Sequence, residues 1–236
     1  MKLSIIIPAY NEEKRISKTL KEYYNFFQSK LKDEFEIIII VNNSKDKTFD
    51  ICEEFSKNKK MFKVINIPYY VGKGGAVMKG FEKAKGDLIG FTDADNSTNP
   101  ENFFKLYQEI KSHHGIIASR RKKGALIEPK RRFSQQASSL AFNFLVQLLF
   151  NLNFKDTQCG AKIFTKNVAK FLSENYKEEG WAFDVDILFL CKRKKLKIVE
   201  HPIYWKDAEG SSLNLKDSVK SVLRLFKIRF RKFNFS

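Results

Sequence analysis

Asp93 and Asp95 stand one residue apart, directly after the short apolar run Leu88 to Thr92. That run is bounded by Gly86-Asp87 and reads as a buried strand. Both acids therefore fall where a parallel strand leaves its sheet, the edge at which α/β proteins collect ligands. Two carboxylates flanking the small Ala94 can share a hard cation, and such a cation keeps open positions for substrate phosphates. The plainer reading is a strand-to-loop turn with helix-capping aspartates, which Asn99-Pro100-Glu101 downstream would suit. A second stretch points the same way. In Gly72-Lys73-Gly74-Gly75, backbone N–H groups of a glycine-rich loop before a helix can cradle phosphate, and Lys73 adds a point charge. The same glycines would also serve as a flexible lead into a helix. The stretch is not a Walker A loop, and no Gly-x-Gly-x-x-Gly follows the first strand, which argues against a dinucleotide.

The elements that must position these residues follow from hydrophobic pattern. Leu3 to Ile7 is a β-rich run stopped by Pro8, and a helical pattern starts after Asn11-Glu12-Glu13 with Ile16, Leu20, Tyr23, Tyr24 and Phe27 on one face. Phe35 to Val41 is an unbroken apolar strand, which implies a sheet covered on both faces. A helix over Thr48 to Phe55, a strand over Phe62 to Ile67, a helix running to Ala84 and the strand before Asp93 complete four alternations. That alternation predicts an α/β fold with a mostly parallel central sheet and helices on both faces. Three loops meet at the strand ends: Pro8 to Glu12, Asn42 to Asp46, and Gly72 to Gly75.

Composition narrows the partners. The 236 residues are enough for one domain with a C-terminal appendage. Lys plus Arg is 44 against 27 Asp plus Glu, a formal charge of +17, which implies polyanionic company: nucleic acid, an anionic lipid surface or phosphorylated substrates. Cys52, Cys159 and Cys191 are widely spaced without Cys-x-x-Cys, suiting a reducing compartment rather than a disulfide framework or zinc site. His113, His114 and His201 lack ligand spacing. Met1 runs straight into a strand, so no signal peptide is expected. No apolar run reaches the roughly 18 residues of a membrane span.

Taken together, Ser4-Ile-Ile-Ile-Pro-Ala-Tyr-Asn-Glu-Glu13, Gly72-Lys-Gly-Gly-Ala-Val77 and Asp93-Ala-Asp95 resemble the family 2 glycosyltransferases of GT-A fold. Asp156-Thr-Gln-Cys-Gly-Ala-Lys-Ile-Phe164, Trp181-Ala-Phe-Asp-Val-Asp186, and Trp205 with Glu209-Gly210-Ser211 narrow the resemblance to the dolichyl-phosphate glucosyltransferases, with dolichyl-phosphate mannose synthases as cousins. The similarity covers nearly the whole chain. It implies inverting transfer of one hexose from a nucleotide-sugar, UDP-glucose favoured over UDP-GlcNAc or GDP-mannose, to dolichyl or other polyprenyl phosphate at the cytosolic membrane face. In that reading Asp93 and Asp95 hold Mg²⁺ or Mn²⁺ against the diphosphate. Pro8, Ala9, Tyr10, Asn11, Glu12 and Asn42 hold base and ribose, with Gly72, Lys73, Gly74 and Ala94 completing the nucleotide-sugar site. Arg120, with Arg131 or Arg132, meets the lipid phosphate, and Asp156, Gln158, Trp181 and Asp184 orient the acceptor or the sugar. For Asp184 and Asp186 a helix N-terminus is the competing reading. Relatives carry an Asp-Asp pair where this chain has Val41-Asn42, which leaves the nucleotide open; Asn42 can still donate or accept a hydrogen bond. The eukaryotic relatives also begin with a membrane anchor, which is not expected here.

The chemistry is consistent with that assignment. A phosphate monoester is already anionic near neutral pH, its second pKa being about 6, so the nucleophile needs little help from a base. Charge on the departing nucleoside diphosphate is what needs stabilising, by a divalent ion and by positioned cationic side chains.

An enzyme without an anchor needs another route to a lipid. Ser138 to Phe154 is apolar except for Ser139, Asn143, Gln147 and Asn151, which recur every fourth residue as one polar seam. A helix over about 134–154 lying in the membrane interface is expected, with a core helix as the alternative. Leu215, Val219, Val222, Phe226, Phe230 and Phe233 form an apolar stripe, opposite Lys216, Lys220, Arg224, Lys227 and Arg231. The sequence thus divides into a glycosyltransferase domain over 1–212 and a basic amphipathic helix within 213–236, a peripheral membrane-surface element. A nucleic-acid-binding module is the reading from another class, but no RNP, zinc or helix-turn-helix signature supports it, and no nucleic acid partner is expected. A family 2 enzyme acting on a glycan or protein is the third.

Overall fold

The computed structural model describes residues 1–129, 133–177, 180, 182–206 and 215–231, with backbone alone for 133–139 and 215–222. Four parallel strands, β1 (Leu3–Ala9), β2 (Phe35–Asn42), β3 (Phe62–Ile67) and β4 (Leu88–Phe91), alternate with helices α1 (Ile16–Leu31), α2 (Thr48–Ser56) and α3 (Gly72–Lys83). After α4 (Pro100–Glu109) come β5 (Gly115–Ser119), β6 (Leu126–Glu128) and α5 (Phe133–Phe150), then β7 (Lys162–Thr165), α6 (Lys166–Asn175), α7 (Phe183–Arg193), β8 (Ile198–Pro202), β9 (Tyr204–Lys206) and α8 (Leu215–Phe230). The main sheet has seven strands in the order β3-β2-β1-β4-β7-β5-β8, with β7 alone antiparallel to its neighbours; β6 and β9 pair separately.

The expected α/β architecture is what the chain adopts. Alternate residues of β2 go to opposite faces: Ile38 and Ile40 pack with α3, α6 and α7, while Ile37, Ile39 and Val41 pack with α1, α2 and α4. Both faces are covered, which is why that strand reads as an unbroken apolar run.

Four boundaries differ from expectation. β1 runs through Pro8 to Ala9, because β4 pairs only as far as Ile6 and leaves no partner there to miss the proline N–H. Gly72 to Gly75 are the first turn of α3 rather than a loop before it; a Cβ on Gly74 would lie 2.6 Å from Cβ of Phe183, so the helix start packs on α7 only with glycine there. α5 ends at Phe150, where Asn151 and Asn153 take φ of 48° and 60° and Lys192 donates to the carbonyls of Phe150 and Asn151. α8 ends at Phe230, short of Phe233, which lies outside the described residues.

α5 and α8 pack against each other, and both leave large apolar side chains open, on α8 beside the exposed Lys227 and Arg229. Phe144 and Leu148 are each 71% exposed and Phe230 is 76% exposed, with Leu140, Leu223 and Phe226 also open. The inward face of α5 is apolar, with Val146 and Phe150 buried; of the polar seam, Gln147 is half-buried, donating to the Phe154 carbonyl (2.7 Å) and accepting from the Asn153 N–H (3.0 Å), while Asn151 is exposed. On α8, Leu225 and Ile228 are buried, whereas Arg224 and Arg231, expected on an outer basic face, point into the protein. Among the described residues no helix is long and apolar enough to cross a membrane.

Candidate active site

The carboxyl ends of β1, β2 and β4 meet the start of α3, and the loops there are stitched into one wall. Asn11, at φ 53°, donates its N–H to Ser44 Oγ (3.0 Å) and accepts from the Lys45 N–H (2.8 Å) through Oδ1. The Glu12 N–H donates to Thr48 Oγ1 (2.7 Å) and the Glu13 N–H to Asp46 (3.1 Å). Glu12 itself holds Arg15 through two bonds of 2.7 and 2.8 Å. Most polar groups of this loop are thereby committed to its own shape. Tyr10 is the exception: it stands half exposed, edge-on to Tyr70 with ring centroids 5.9 Å apart. With the rings nearly perpendicular, the open face of one can stack a heterocycle while the other lines its edge. The sequence pattern did not single out Tyr70, because its ring meets Tyr10 only through the fold.

Asn42 is buried, and its Oδ1 accepts the Val71 N–H (2.9 Å). Its amide therefore fixes the turn into α3, and this use competes with direct contact to a base.

Asp93 and Asp95 are held by the helix behind them. Thr19 donates to the Ala94 carbonyl (2.7 Å), and Tyr23 donates to the Thr98 carbonyl (2.6 Å) beside Thr92. Ala94 is buried, so the backbone of the turn is fixed while the two carboxylates remain part-exposed. Burial first, then the charge of Asp93, pushes the Asp95 carboxyl above the usual carboxylate range. The helix-capping alternative does not hold for these acids, since Asn99 caps α4 by accepting the Asn102 N–H (3.0 Å). Gly160 packs on Asp93 so closely that a Cβ would overlap its carboxylate. The 156–160 loop is therefore the wall facing the acid pair.

From the α3 side Lys73 reaches across and its ammonium pairs with Asp93. Burial works against that charge, but Asp93 and then Asp184 outweigh it and hold Lys73 above the ordinary lysine range. Below lies Lys162, with a side chain 0% exposed, paired with Asp184 and donating to the Cys159 carbonyl (2.7 Å). A fully buried lysine inside an apolar strand gives no signal in the sequence, where its neighbours look like ordinary core.

The comparisons with known proteins fit this geometry. The family described as Glycosyl transferase family 2 matches residues 4–172. A dolichyl-phosphate beta-glucosyltransferase of Trichomonas vaginalis, ALG5D, is 32% identical over 236 residues, spanning 96% of this chain and 72% of the relative. That of Saccharomyces cerevisiae is 33% identical, spanning 96% and 74%. The chain belongs to glycosyltransferase family 2. Its fold agrees: glucosyl-3-phosphoglycerate synthase from Mycobacterium tuberculosis, solved with Mn²⁺, UDP and phosphoglyceric acid, superposes with a TM-score of 0.72 over 98% of this chain and 80% of that one, at 16% identity.

In this family 2 glycosyltransferase the remaining expected residues fall into four groups. Arg120 and Asp156 are brought together: the guanidinium donates to the carboxylate at 2.7 and 2.9 Å, the Arg120 N–H adds a third bond of 3.0 Å, and the ring of Trp205 lies 5.4 Å from the guanidinium carbon. Burial alone would raise the Asp156 pKa, but Arg120 outweighs it and holds the carboxyl down to about 2. Asp184 and Asp186 sit in the first turn of α7, as the helix-start reading expected, but neither is a free cap: Asp184 pairs with Lys162 and Asp186 holds Arg231 at 2.7 and 3.0 Å. Gln158 is half-buried in the wall facing Asp93. Arg131, Arg132, Trp181 and Glu209-Gly210-Ser211 lie outside the described residues. The histidines stand apart from the acid pair: His113 and His114 precede β5, where His114 Nδ1 accepts the Lys197 N–H (3.1 Å).

Proposed function

We propose that this enzyme transfers one hexose, with inversion, from a nucleotide-sugar (UDP-glucose favoured) to the phosphate of dolichol or a related polyprenol, working as a peripheral protein at the cytosolic membrane face. The observation that carries the reading is the Asp93–Asp95 pair at the end of β4, facing the first turn of α3. Its support comes from relatives named as dolichyl-phosphate beta-glucosyltransferases and from a fold neighbour solved with Mn²⁺ and UDP.

The acid pair fits a divalent ion, Mg²⁺ or Mn²⁺. A cation, the Lys73 ammonium, already rests on Asp93, and the missing side chain of Gly160 leaves the carboxylate room. Among the described residues no three or more His, Cys, Asp and Glu gather as ligands, so Asp93 and Asp95 would be the protein's share, which suits an ion that also binds substrate phosphates. Such an ion supplies Lewis-acid stabilisation of the departing diphosphate. The chain's own groups do the rest. Tyr10, with Tyr70, stacks the base; the wall from Pro8 and Ala9 through Asn11 and Glu12, with Asn42 behind it, shapes the base and ribose pocket. N–H groups of the α3 first turn at Gly72, Lys73 and Gly74 face the phosphates, and Asp156 orients Arg120 toward the acceptor phosphate, for which Arg131 or Arg132 is a further candidate ligand. The outward apolar faces of α5 and α8 rest on the anionic bilayer surface, which favours a lipid over a soluble glycan or protein acceptor.

The test is transfer of radiolabelled sugar to dolichyl phosphate from UDP-glucose, UDP-GlcNAc and GDP-mannose in parallel, with and without Mn²⁺ or Mg²⁺. A metal-dependent lipid product with UDP-glucose as the best donor is expected. Absence of lipid product with every donor overturns the acceptor assignment, and a better second donor overturns the sugar.

A further inference from the structure

Lys73 pairs with one of the two acids that would hold a divalent ion. Its ammonium is paired with Asp93 and lies 5.5 Å from the centre of the Phe183 ring, and the charges acting on it, after Asp93, are Asp184 and Asp95. We propose that Lys73 is the resident cation of the Asp93–Asp95 pair, yielding its place to a divalent ion only when a nucleoside diphosphate offers the ammonium a new partner, so that metal and nucleotide bind with positive cooperativity. This rests on the reading of Asp93 and Asp95 as the metal-holding pair and adds the means by which the site is kept closed to metal alone.

Two lysines reach this cluster, and the structure distinguishes their parts. Lys162 is fully buried and fixed on both sides, by Asp184 and by the Cys159 carbonyl, so it is a permanent counter-charge. Lys73 is 32% exposed, and Asp93, its partner, is 31% exposed. Its unbranched four-carbon stem starts in the first turn of α3, so a rotation about that stem can carry the ammonium from the carboxylate toward the space before the helix N-terminus. An anion arriving there meets the helix N–H groups and a mobile positive charge together. Without the anion, a dication approaching Asp93 meets the ammonium at close range, where like charges repel and neither is well hydrated. With it, the ammonium has somewhere to go. The coupling is reciprocal: by whatever factor the diphosphate strengthens metal binding, the metal strengthens diphosphate binding.

The experiment measures Mn²⁺ uptake by the purified full chain, from the EPR signal of free Mn²⁺, with and without UDP and with GDP in parallel. For the unaltered protein, UDP should tighten Mn²⁺ binding by about tenfold or more, within the usual range of site–site coupling. Lys73→Met should bind Mn²⁺ alone about tenfold more tightly, and the enhancement by UDP should shrink by a similar factor. Lys73→Arg, whose fork can hold a carboxylate through two N–H groups, should move the other way and bind Mn²⁺ alone more weakly; it retains the counter-charge and so guards against misfolding of the neutral variant. If Lys73→Met takes up Mn²⁺ alone no more tightly than the unaltered protein, the resident-cation role is wrong while the metal site stands. If the unaltered protein with UDP or GDP takes up no Mn²⁺ that Asp95→Ala abolishes, the metal site and the resident cation fall together.

Discussion

The two sides of this molecule treat charge in opposite ways. Around β1 to β4 the arrangement is the ordinary one: Ile and Phe fill the core, and Asp93 and Asp95 are left part-exposed at the strand ends. On the C-terminal side three acids go inside, while several large apolar side chains of α5 and α8 stay open. Asp156, Asp184 and Asp186 are all buried, each paired with a cation of its own, Arg120, Lys162 and Arg231, while Phe144, Leu148 and Phe230 face outward. An acid that has already matched its charge has little to offer a metal. An acid whose partner is a part-exposed lysine can exchange it. The contrast separates the acids suited to chemistry from those that hold the chain in shape; the sequence marked out the first pair but gave no sign of the cations that hold the other three.

The contrast can be broken experimentally at each point. Asp95→Ala removes an available acid, and turnover should fall by about a thousandfold or more, the scale of losing electrostatic stabilisation at the reacting centre, with an unchanged melting curve; substantial residual activity would place Asp95 among the structural acids. Asp186→Asn strips Arg231 of its charge partner in a buried site, which costs roughly 3–5 kcal/mol. That should lower the melting temperature by roughly 6–20 °C for a chain of this size, measured by calorimetry; an unchanged melt would mean that the pair holds nothing.

Asp156 offers a finer test through pH. Its folded-state pKa is about 2, below the roughly 3.9 of a free aspartate. Its contribution is therefore fully present above about pH 4 and is lost as pH falls toward 2, worth about 2 kcal/mol over that window. Asp156→Asn should be less stable than the unaltered protein at neutral pH, with the gap closing between about pH 4 and 2 in urea titrations. A gap that persists at pH 2 would show that shape, not charge, links Asp156 to Arg120. The smallest effect is expected on the outer face. Phe144→Ser with Leu148→Ser should change stability in water by only about 0.5 kcal/mol either way, yet weaken flotation with anionic vesicles by about tenfold, given the apolar area those side chains would bury. Unaltered flotation would separate the apolar face from membrane contact.

Much of the succession of strands and helices on the N-terminal side was legible because local pattern and tertiary role coincide there. Phe35 to Val41 is apolar throughout since both its faces are buried, and the turn after β4 carries its acids in plain view. The glycines at 72–75 were legible as a feature leading into a helix but not as its first turn, because what selects glycine at 74 is the Phe183 side chain over a hundred residues away. The polar seam of α5 was visible at its spacing of four, but periodicity alone cannot say which face turns in; here Val146 and Phe150 do, and Phe144 and Leu148 stay out. On α8 the basic residues could be counted, but not that Arg231 would leave the surface for Asp186.

The amino-acid order by itself therefore determined the alternation of strand and helix, the placing of an acid pair at a strand's carboxyl end and the family to which those motifs belong. Each of these depends on residues close together in the chain, where backbone preference and hydrophobic period act directly. Tertiary structure alone decided which carboxylate meets which cation: Lys73 with Asp93, Lys162 with Asp184, Arg120 with Asp156, Arg231 with Asp186. An ion pair depends on separation in space, and these partners lie between 20 and 45 residues apart, a distance only the completed sheet and its helices could close.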